Sequence, residues 1–211
     1  MCKNSPILKV ATGSHSGQNS LKPRAHLDNA QNNKQADIVN QWKELDELRS
    51  AAEAGSVSAQ LELAFAYMKG DRTGQNFVAA AQWYERAALA GDATAQHNLA
   101  CMCLNGHGVG KDGGQAAHWF EQAALQQDID SQFNLGMIYE QGTGVAADEV
   151  KATEWFLLAA ENGSARAQYE MGCRYQNGRG VERSLERARH WLEQAAGQGV
   201  ARARNQLLDL S

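Results

Sequence analysis

Apolar residues recur along this chain with the spacing of helices rather than of strands. Within residues 93–128, a first apolar set follows steps of four, one and three residues, which place it on one stripe of an α-helix. Its members are Ala95, Leu99, Ala100 and Cys103. A second set, at steps of three and one, mixes small and aromatic side chains: Ala116, Trp119, Phe120, Ala123 and Ala124. Small residues let two helices approach closely while a large one fills the remaining space, so a helix hairpin is predicted.

The same pattern returns every 36 residues, and four kinds of position keep this step. The tryptophans are Trp83, Trp119, Trp155 and Trp191. The glutamines are Gln60, Gln96, Gln132 and Gln168. The glycines are Gly70, Gly106, Gly142 and Gly178, and paired alanines begin at Ala87, Ala123, Ala159 and Ala195. This register predicts four stacked helix hairpins in which each tryptophan is buried.

The turn inside each hairpin has its own signals. Gly106 follows the first helix, where a left-handed residue is favoured, and Asp112 stands where the second helix needs an N-cap. The turn also contains a G-x-G-x-x-G spacing at residues 108–113, but a dinucleotide site requires a preceding strand, and a helix precedes this one. We therefore predict a turn and no phosphate site. Because Arg72 replaces the second glycine in the first unit, a differently built turn is expected there.

Three motifs repeat in phase: A-Q-x-x-L-[AG]-x-x-[YC], then G-x-G-V, then W-[YFL]-x-x-A-A. They are clearest between Ser131 and Gly163, and with them the chain closely resembles the Sel-one-like repeat family, relatives of the tetratricopeptide repeat. The resemblance covers roughly residues 47–211. It implies an all-α fold, an α/α solenoid of four 36-residue repeats with capping helices. It also implies a non-catalytic protein-interaction scaffold or adaptor, in signalling, complex assembly or host interaction.

The repeat register sets the expected boundaries. Residues 1–35 are polar and are expected to be disordered. An N-terminal capping helix is expected within 36–57 and a C-terminal one within 200–211, because the end units of a solenoid need covers. The repeats are placed at 58–93, 94–129, 130–165 and 166–199.

A partner is expected on the first helix of each repeat, because in relatives of this family those helices line the concave side of the stack. The candidate partner-binding residues are Leu61, Phe65, Met68, His97, Cys101, Leu104, Phe133, Met137, Glu140, Arg166, Tyr169 and Gln176. Aromatic, Met and Arg side chains are favoured in protein interfaces, which suits a protein or peptide partner. Packing between repeats is the alternative explanation for Phe133 and Tyr169. Met68 and Leu104 are the stronger candidates.

Catalytic and metal chemistry have little support. His97 and Cys101 lie one helical turn apart, so a metal or thiol function remains an alternative. Cys103 occupies the position of Tyr139 and Tyr175, where a buried thiol behaves as a small hydrophobe. A second alternative is a small hydrolase like the cysteine-rich, penicillin-binding members of the family, but their regular Cys pair in every repeat is absent here. We expect no enzyme and no cofactor.

Charge and hydropathy narrow the location and the partners. The net charge is -4, and residues 1–36 hold five basic residues against one acid, so the repeats are acidic. Nucleic-acid binding needs a basic folded face and is not expected. No run reaches the ~20 apolar residues of a membrane span, and no apolar signal segment is seen at the N-terminus. We expect a cytoplasmic monomer, with a transit peptide as the open alternative.

Overall fold

The structure is a computed structural model that describes residues 43–210. Within this range ten helices follow one another. Helix α1 covers residues 43–53 of that part. The other helices are α2 Val57–Lys69, α3 Phe77–Leu89, α4 Ala93–Asn105, α5 Gly113–Leu125, α6 Ile129–Gln141, α7 Glu149–Glu161, α8 Ala165–Asn177, α9 Leu185–Gly197 and α10 Ala201–Leu208. Packing is strongest between consecutive helices, as expected for stacked hairpins. The predicted all-α repeat fold is confirmed, and none of the described helices is long and apolar enough to cross a bilayer.

The predicted helix signals hold in the turns. Gly106 ends α4 with φ 74°, and the Asp112 side chain accepts a hydrogen bond of 3.0 Å from the backbone N–H of Gln115 at the start of α5. The same two devices recur in the third repeat at Gly142 and Asp148. Because both ends of each turn are fixed by the same residue types, helices α2 to α9 all have 13 residues. The loop at residues 108–113 thus connects two helices, as predicted.

The first turn differs from its prediction. It follows the same backbone path as the others, with Gly70 at φ 76° and Arg72 at φ 59° where the other repeats have glycine. Elsewhere the glycine is needed for space as well as for its positive φ. A Cβ on Gly108 would overlap the backbone of Phe77, and one on Gly180 would overlap that of Glu149. Arg72 therefore has the cost of a positive φ without a steric overlap. Its guanidinium donates a hydrogen bond to Glu62 at 2.9 Å.

The large buried side chain of each second helix is the residue after the tryptophan. Tyr84, Phe120, Phe156 and Leu192 are 0–1% exposed, whereas the four tryptophans are only partly buried. The predicted burial of the tryptophans is therefore only partial, although all four pack against the core clusters. The spacing could not separate the two, because neighbouring positions on a helix differ by about 100° and both border the apolar stripe.

The repeated glutamines tie each hairpin to the preceding one. The amide of Gln96 donates to the carbonyl oxygen of Ala88 at 3.2 Å, and its side-chain oxygen accepts from Gln126 at 2.8 Å. Equivalent pairs join Gln132 to Asn162 and Gln168 to Gln198. Burying an amide is costly unless its polar atoms find partners, and the shared geometry that supplies them explains why the same residue type recurs.

Both ends of the stack are covered. Leu45 and Ala52 of α1 are 1% and 0% exposed, and Ala203 of α10 is fully buried. The apolar faces of the first and last repeats are therefore kept from water, which is the role expected of the capping helices. The predicted start of the first capping helix and the predicted disordered segment, residues 1–35, lie outside the described residues.

Candidate interaction surface

The predicted partner-binding residues lie on the first helices of the four repeats, α2, α4, α6 and α8. They occupy four sequence positions of the repeat, spaced by multiples of 36 residues. We call these twelve residues the first-helix stripe. Phe65 and Arg166 are exposed, Phe133 is 7% exposed, and the others are half-buried. The stripe is therefore a continuous part of the fold that mixes accessible side chains with side chains engaged in packing.

The N-terminal half of the stripe is apolar. Phe65 is 51% exposed, and the Lys69 ammonium lies 5.6 Å from its ring centre. Leu61, Met68 and Leu104 pack with one side against the core of the first two repeats. An exposed aromatic ring beside half-buried aliphatic side chains is the composition expected at the centre of a protein interface.

His97 connects the second and third repeats. Its Nδ1 lies 2.9 Å from Ser131 Oγ and 3.1 Å from Asp128 Oδ1, and Asp128 also caps α6 by accepting from the Ser131 N–H at 2.7 Å. The imidazole and the Phe120 ring lie at 72° to each other in a T-shaped contact, with 5.5 Å between ring centres. The imidazole is thus held between two repeats, an arrangement that fixes their relative position.

The thiol next to His97 is poorly activated. Cys101 Sγ lies 3.6 Å from His97 Nε2. Burial raises the pKa of Cys101, and the nearby charges of Asp128 and Asp130 raise it further. Since the thiolate is the reactive form, these surroundings do not favour nucleophilic chemistry. Among residues 43–210, no group of three or more His, Cys, Asp or Glu side chains is placed to hold a metal ion.

The C-terminal half of the stripe contains a buried ionic cluster that sequence reasoning missed. Arg174 is 0% exposed; its guanidinium donates to Glu140 Oε1 at 2.5 Å and to Thr153 Oγ1 at 2.9 Å. Arg179 donates to the same Glu140 oxygen at 2.6 Å. Burial lowers the pKa of Arg174, but an arginine so paired stays charged at neutral pH. The signal was available in the register, because Arg174 is a charge at a position that Ile138 occupies one repeat earlier.

The remaining stripe residues also contact neighbours. The Arg166 guanidinium lies over the Phe133 ring, 4.1 Å from its centre, which shields that ring from solvent. Gln176 accepts a hydrogen bond of 2.6 Å from Gln206 on the capping helix α10. Tyr169 packs against the small core at the C-terminal end. Arg166 is the one lysine or arginine among the twelve stripe residues, and it is exposed.

Comparison with known proteins agrees with this architecture. The family model described as Sel1 repeat matches residues 57–92, 93–128, 129–164 and 165–200, and the chain belongs to this family. A crystal structure of a protective antigen present in uropathogenic Escherichia coli strains is 40% identical, with a TM-score of 0.74 over 77% of this chain and 35% of that one. A Sel1 repeat protein from Oxalobacter formigenes is 30% identical, with a TM-score of 0.68 over 77% of this chain and 65% of that one.

Both solved relatives are longer than the region they share with this chain, which spans about a third of the first and under two thirds of the second. No curated protein matches the chain. Sel1 repeat proteins are typically non-catalytic scaffolds and generally mediate protein–protein interaction, and the solenoid described above is the structure that supports this use.

Proposed function

We propose that this protein is a non-catalytic scaffold that binds a partner protein or peptide through the first-helix stripe. The observation that carries the proposal is the apolar half of that stripe, where Phe65 is 51% exposed beside half-buried Leu61 and Met68. An exposed ring on a rigid helix loses little conformational freedom on binding, so its burial contributes affinity at low entropic cost. A helix or an extended segment with apolar anchors is the partner that such a row of side chains suits.

The capped, stacked helices hold the stripe in place. Each first helix is fixed by its N-cap, by the buried glutamine at its start and by the glycine at its end. The partner would therefore meet a preorganised surface with the apolar side chains towards α2 and Arg166 towards the other end. Complementary charge near Arg166 would set the direction in which a partner lies.

The test compares Phe65→Glu with Leu89→Glu. Leu89, at the end of α3, is 72% exposed and lies outside the stripe, so it controls for a new surface charge. Each immobilised variant captures proteins from a lysate of the source organism, quantified by mass spectrometry against wild type. We expect Phe65→Glu to weaken capture of the specific partner about tenfold or more, as for an interface hot spot, and Leu89→Glu to leave it unchanged.

Undiminished capture by Phe65→Glu, or equal loss in both variants, would contradict the proposal. Phe65 is preferred to Met68 and Leu104 for this purpose. Those two side chains pack against the core, so aspartate there would disturb folding and binding together.

A further inference from the structure

A cavity of about 470 Å³ opens beside Cys103, between α3, α4, α5 and the turn that precedes α5. Its lining combines apolar side chains, among them Ala81, Leu99 and Trp119, with the polar side chains of Gln82, Glu85, Lys111, Asp112 and Gln115. The size falls in the range of ~300–1,000 Å³ typical of small-ligand sites, in which polar groups orient a ligand that packs on apolar ones.

The cavity lies where other repeats carry a tyrosine. Positions 67, 139 and 175 are tyrosines, and Cys103 is the equivalent residue of the second repeat. Tyr175 is only 6% exposed, and Tyr67 and Tyr139 are half-buried, so this position packs a ring at least partly against the fold. Cys103 is itself 4% exposed but much smaller, and the space that a phenol ring would take is left open beside it.

In the third repeat the position equivalent to Cys103 carries a ring, that of Tyr139. There a smaller cavity, about 320 Å³, is lined by Tyr139, Trp155 and Glu121, with the Lys151 ammonium 5.4 Å from the Tyr139 ring centre. In the second repeat Gln115 stands in place of that lysine, and the ammonium group that lines the cavity is that of Lys111, on the turn before α5. The larger cavity is thus a specific feature of Cys103 and its surroundings.

The polar groups that line the cavity indicate which kind of aromatic ligand it suits. In the first repeat the Tyr67 hydroxyl accepts a hydrogen bond of 3.1 Å from Arg49 on the preceding helix. Glu85 stands one repeat after Arg49, so the second repeat offers an acceptor where the first offers a donor. Within the described residues the Glu85 carboxylate makes no hydrogen bond or ion pair. Asp112, the other nearby acid, is already used as the cap of α5.

We propose that the Cys103 cavity is a binding site for a phenol ring, which packs against Leu99 and Trp119 and donates its hydroxyl hydrogen bond to Glu85. The ring would replace the tyrosine that the repeat pattern places there. It would come from a small phenolic molecule or from a tyrosine of another protein. This site lies on the side of α3 and α5 and does not depend on the first-helix stripe.

The test is a titration of the full-length, isotope-labelled protein followed by amide NMR, with p-cresol in one arm and a blocked Ala-Ala-Tyr-Ala-Ala peptide in the other. We expect saturable shifts for residues 109–112 and 115 with p-cresol. Cys103→Tyr should abolish them and raise the melting temperature, because the new ring fills the cavity. Glu85→Ala should weaken p-cresol about tenfold or more, as for loss of a charged hydrogen-bond acceptor.

Glu121→Ala is the matched control, since Glu121 is the equivalent acid beside Tyr139, and it should leave p-cresol affinity unchanged. Binding of both ligands supports a site that also takes a protein tyrosine, and binding of p-cresol alone supports a small-molecule site. Absence of saturable shifts with p-cresol, including the case in which only the peptide binds, would overturn the proposal. Unaltered p-cresol binding in a folded Cys103→Tyr, or in the exposed-site variant Glu85→Ala, would overturn it as well.

Discussion

At one equivalent set of positions, repeats 2 and 3 contact each other through apolar side chains, whereas repeats 3 and 4 contact each other through polar and charged ones. In the first case Ile138 is 3% exposed and lies in one core cluster with Ala117 and half-buried Leu104. We call these three residues the apolar junction. Met102 occupies the same position one repeat earlier and belongs to the same cluster, so an apolar residue is the rule for the first repeats.

Moving each of those three positions forward by 36 residues gives Arg174, Thr153 and Glu140, which we call the ionic junction. The Arg174 guanidinium donates to both of the others and also lies 4.7 Å from the centre of the Phe156 ring. Its Nε has no hydrogen-bond partner among the described residues, although Glu170 Oε1 lies 3.6 Å away.

The repeat backbone therefore accommodates either an apolar or an ionic contact at these three equivalent positions. Removing charges from water is expensive, and their mutual attraction repays that cost only with good geometry, so the ionic junction is not expected to be the more stable of the two. Its more reasonable role is specificity, because Arg174 needs a carboxylate at position 140 and Leu104, the equivalent residue of the second repeat, cannot supply one.

The largest expected effect comes from removing one partner of the ionic junction. Glu140→Ala leaves the buried Arg174 charge without its main partner, and we expect a loss of about 3 to 5 kcal/mol in the free energy of unfolding. Urea denaturation followed by circular dichroism measures it. Glu149→Ala is the control within the same cluster. Glu149 is 56% exposed and lies 3.7 Å from Arg179, so this exposed pair should contribute less than about 1 kcal/mol. Equal losses in the two variants would contradict the assignment of the buried pair.

Converting the ionic junction into an apolar one tests the comparison from the other side. The triple variant Glu140→Leu, Thr153→Ala and Arg174→Ile copies the residues of the apolar junction onto the last two repeats. Replacing a buried ion pair by packed apolar side chains is often neutral or stabilising by ~1 to 4 kcal/mol, and we expect the same here. Melting temperature and urea midpoint measure the change. A triple variant less stable than Glu140→Ala would show that the two junctions are not interchangeable.

Glu170, near the ionic junction, should make the stability of the protein depend on pH, whereas the equivalent residue of the third repeat is neutral. Burial raises the pKa of Glu170, and the charge of Glu140 raises it further. The folded chain then holds this proton more tightly than the unfolded chain, so stability falls as pH rises from about 4.5, the ordinary carboxyl value, to the raised value. Asn134 is the equivalent neutral residue of the third repeat. We expect Glu170→Asn to gain stability relative to wild type across that pH window, measured by urea unfolding from pH 4 upward. Parallel pH profiles would contradict the raised pKa.

The smallest expected effect concerns the hydrogen bonds of the repeated buried glutamines. Gln60 Oε1 is buried without a hydrogen-bond partner within the described chain, because Ala90 stands where Gln126 supplies an amide one repeat later. Both residues follow a second helix with similar backbone angles, φ -76° at Ala90 and φ -92° at Gln126. Ala90→Gln should therefore stabilise the protein by about 1 kcal/mol, measured by urea unfolding. The reverse change, Gln126→Ala, should cost a similar amount, and a loss of stability in Ala90→Gln would refute the explanation.

The repeat register predicted the helices, their caps and the positions of the stripe, because glycine at positive φ and a capping side chain fix each helix end locally. Local signals could not predict which of two neighbouring positions is more deeply buried, so the spacing did not separate Trp155 from the fully buried Phe156. The register marks Arg174 as a charge at the position of Ile138, but a charged residue on a helix is normally solvated, so the register alone does not identify the partners that allow Arg174 to fold inward. Its partners Glu140 and Thr153 are brought near by stacking, which the spacing of residues within one helix does not reveal.

The central claim is that each junction stabilises its own pair of repeats and that the last junction depends on Glu140. Native-state hydrogen exchange, resolved by helix, measures this directly in wild type and in Glu140→Ala. We predict that protection falls in α8, α9 and α10 while the amides of α2 to α5 keep theirs. An equal loss of protection in all helices, or none in α8 to α10, would contradict the claim.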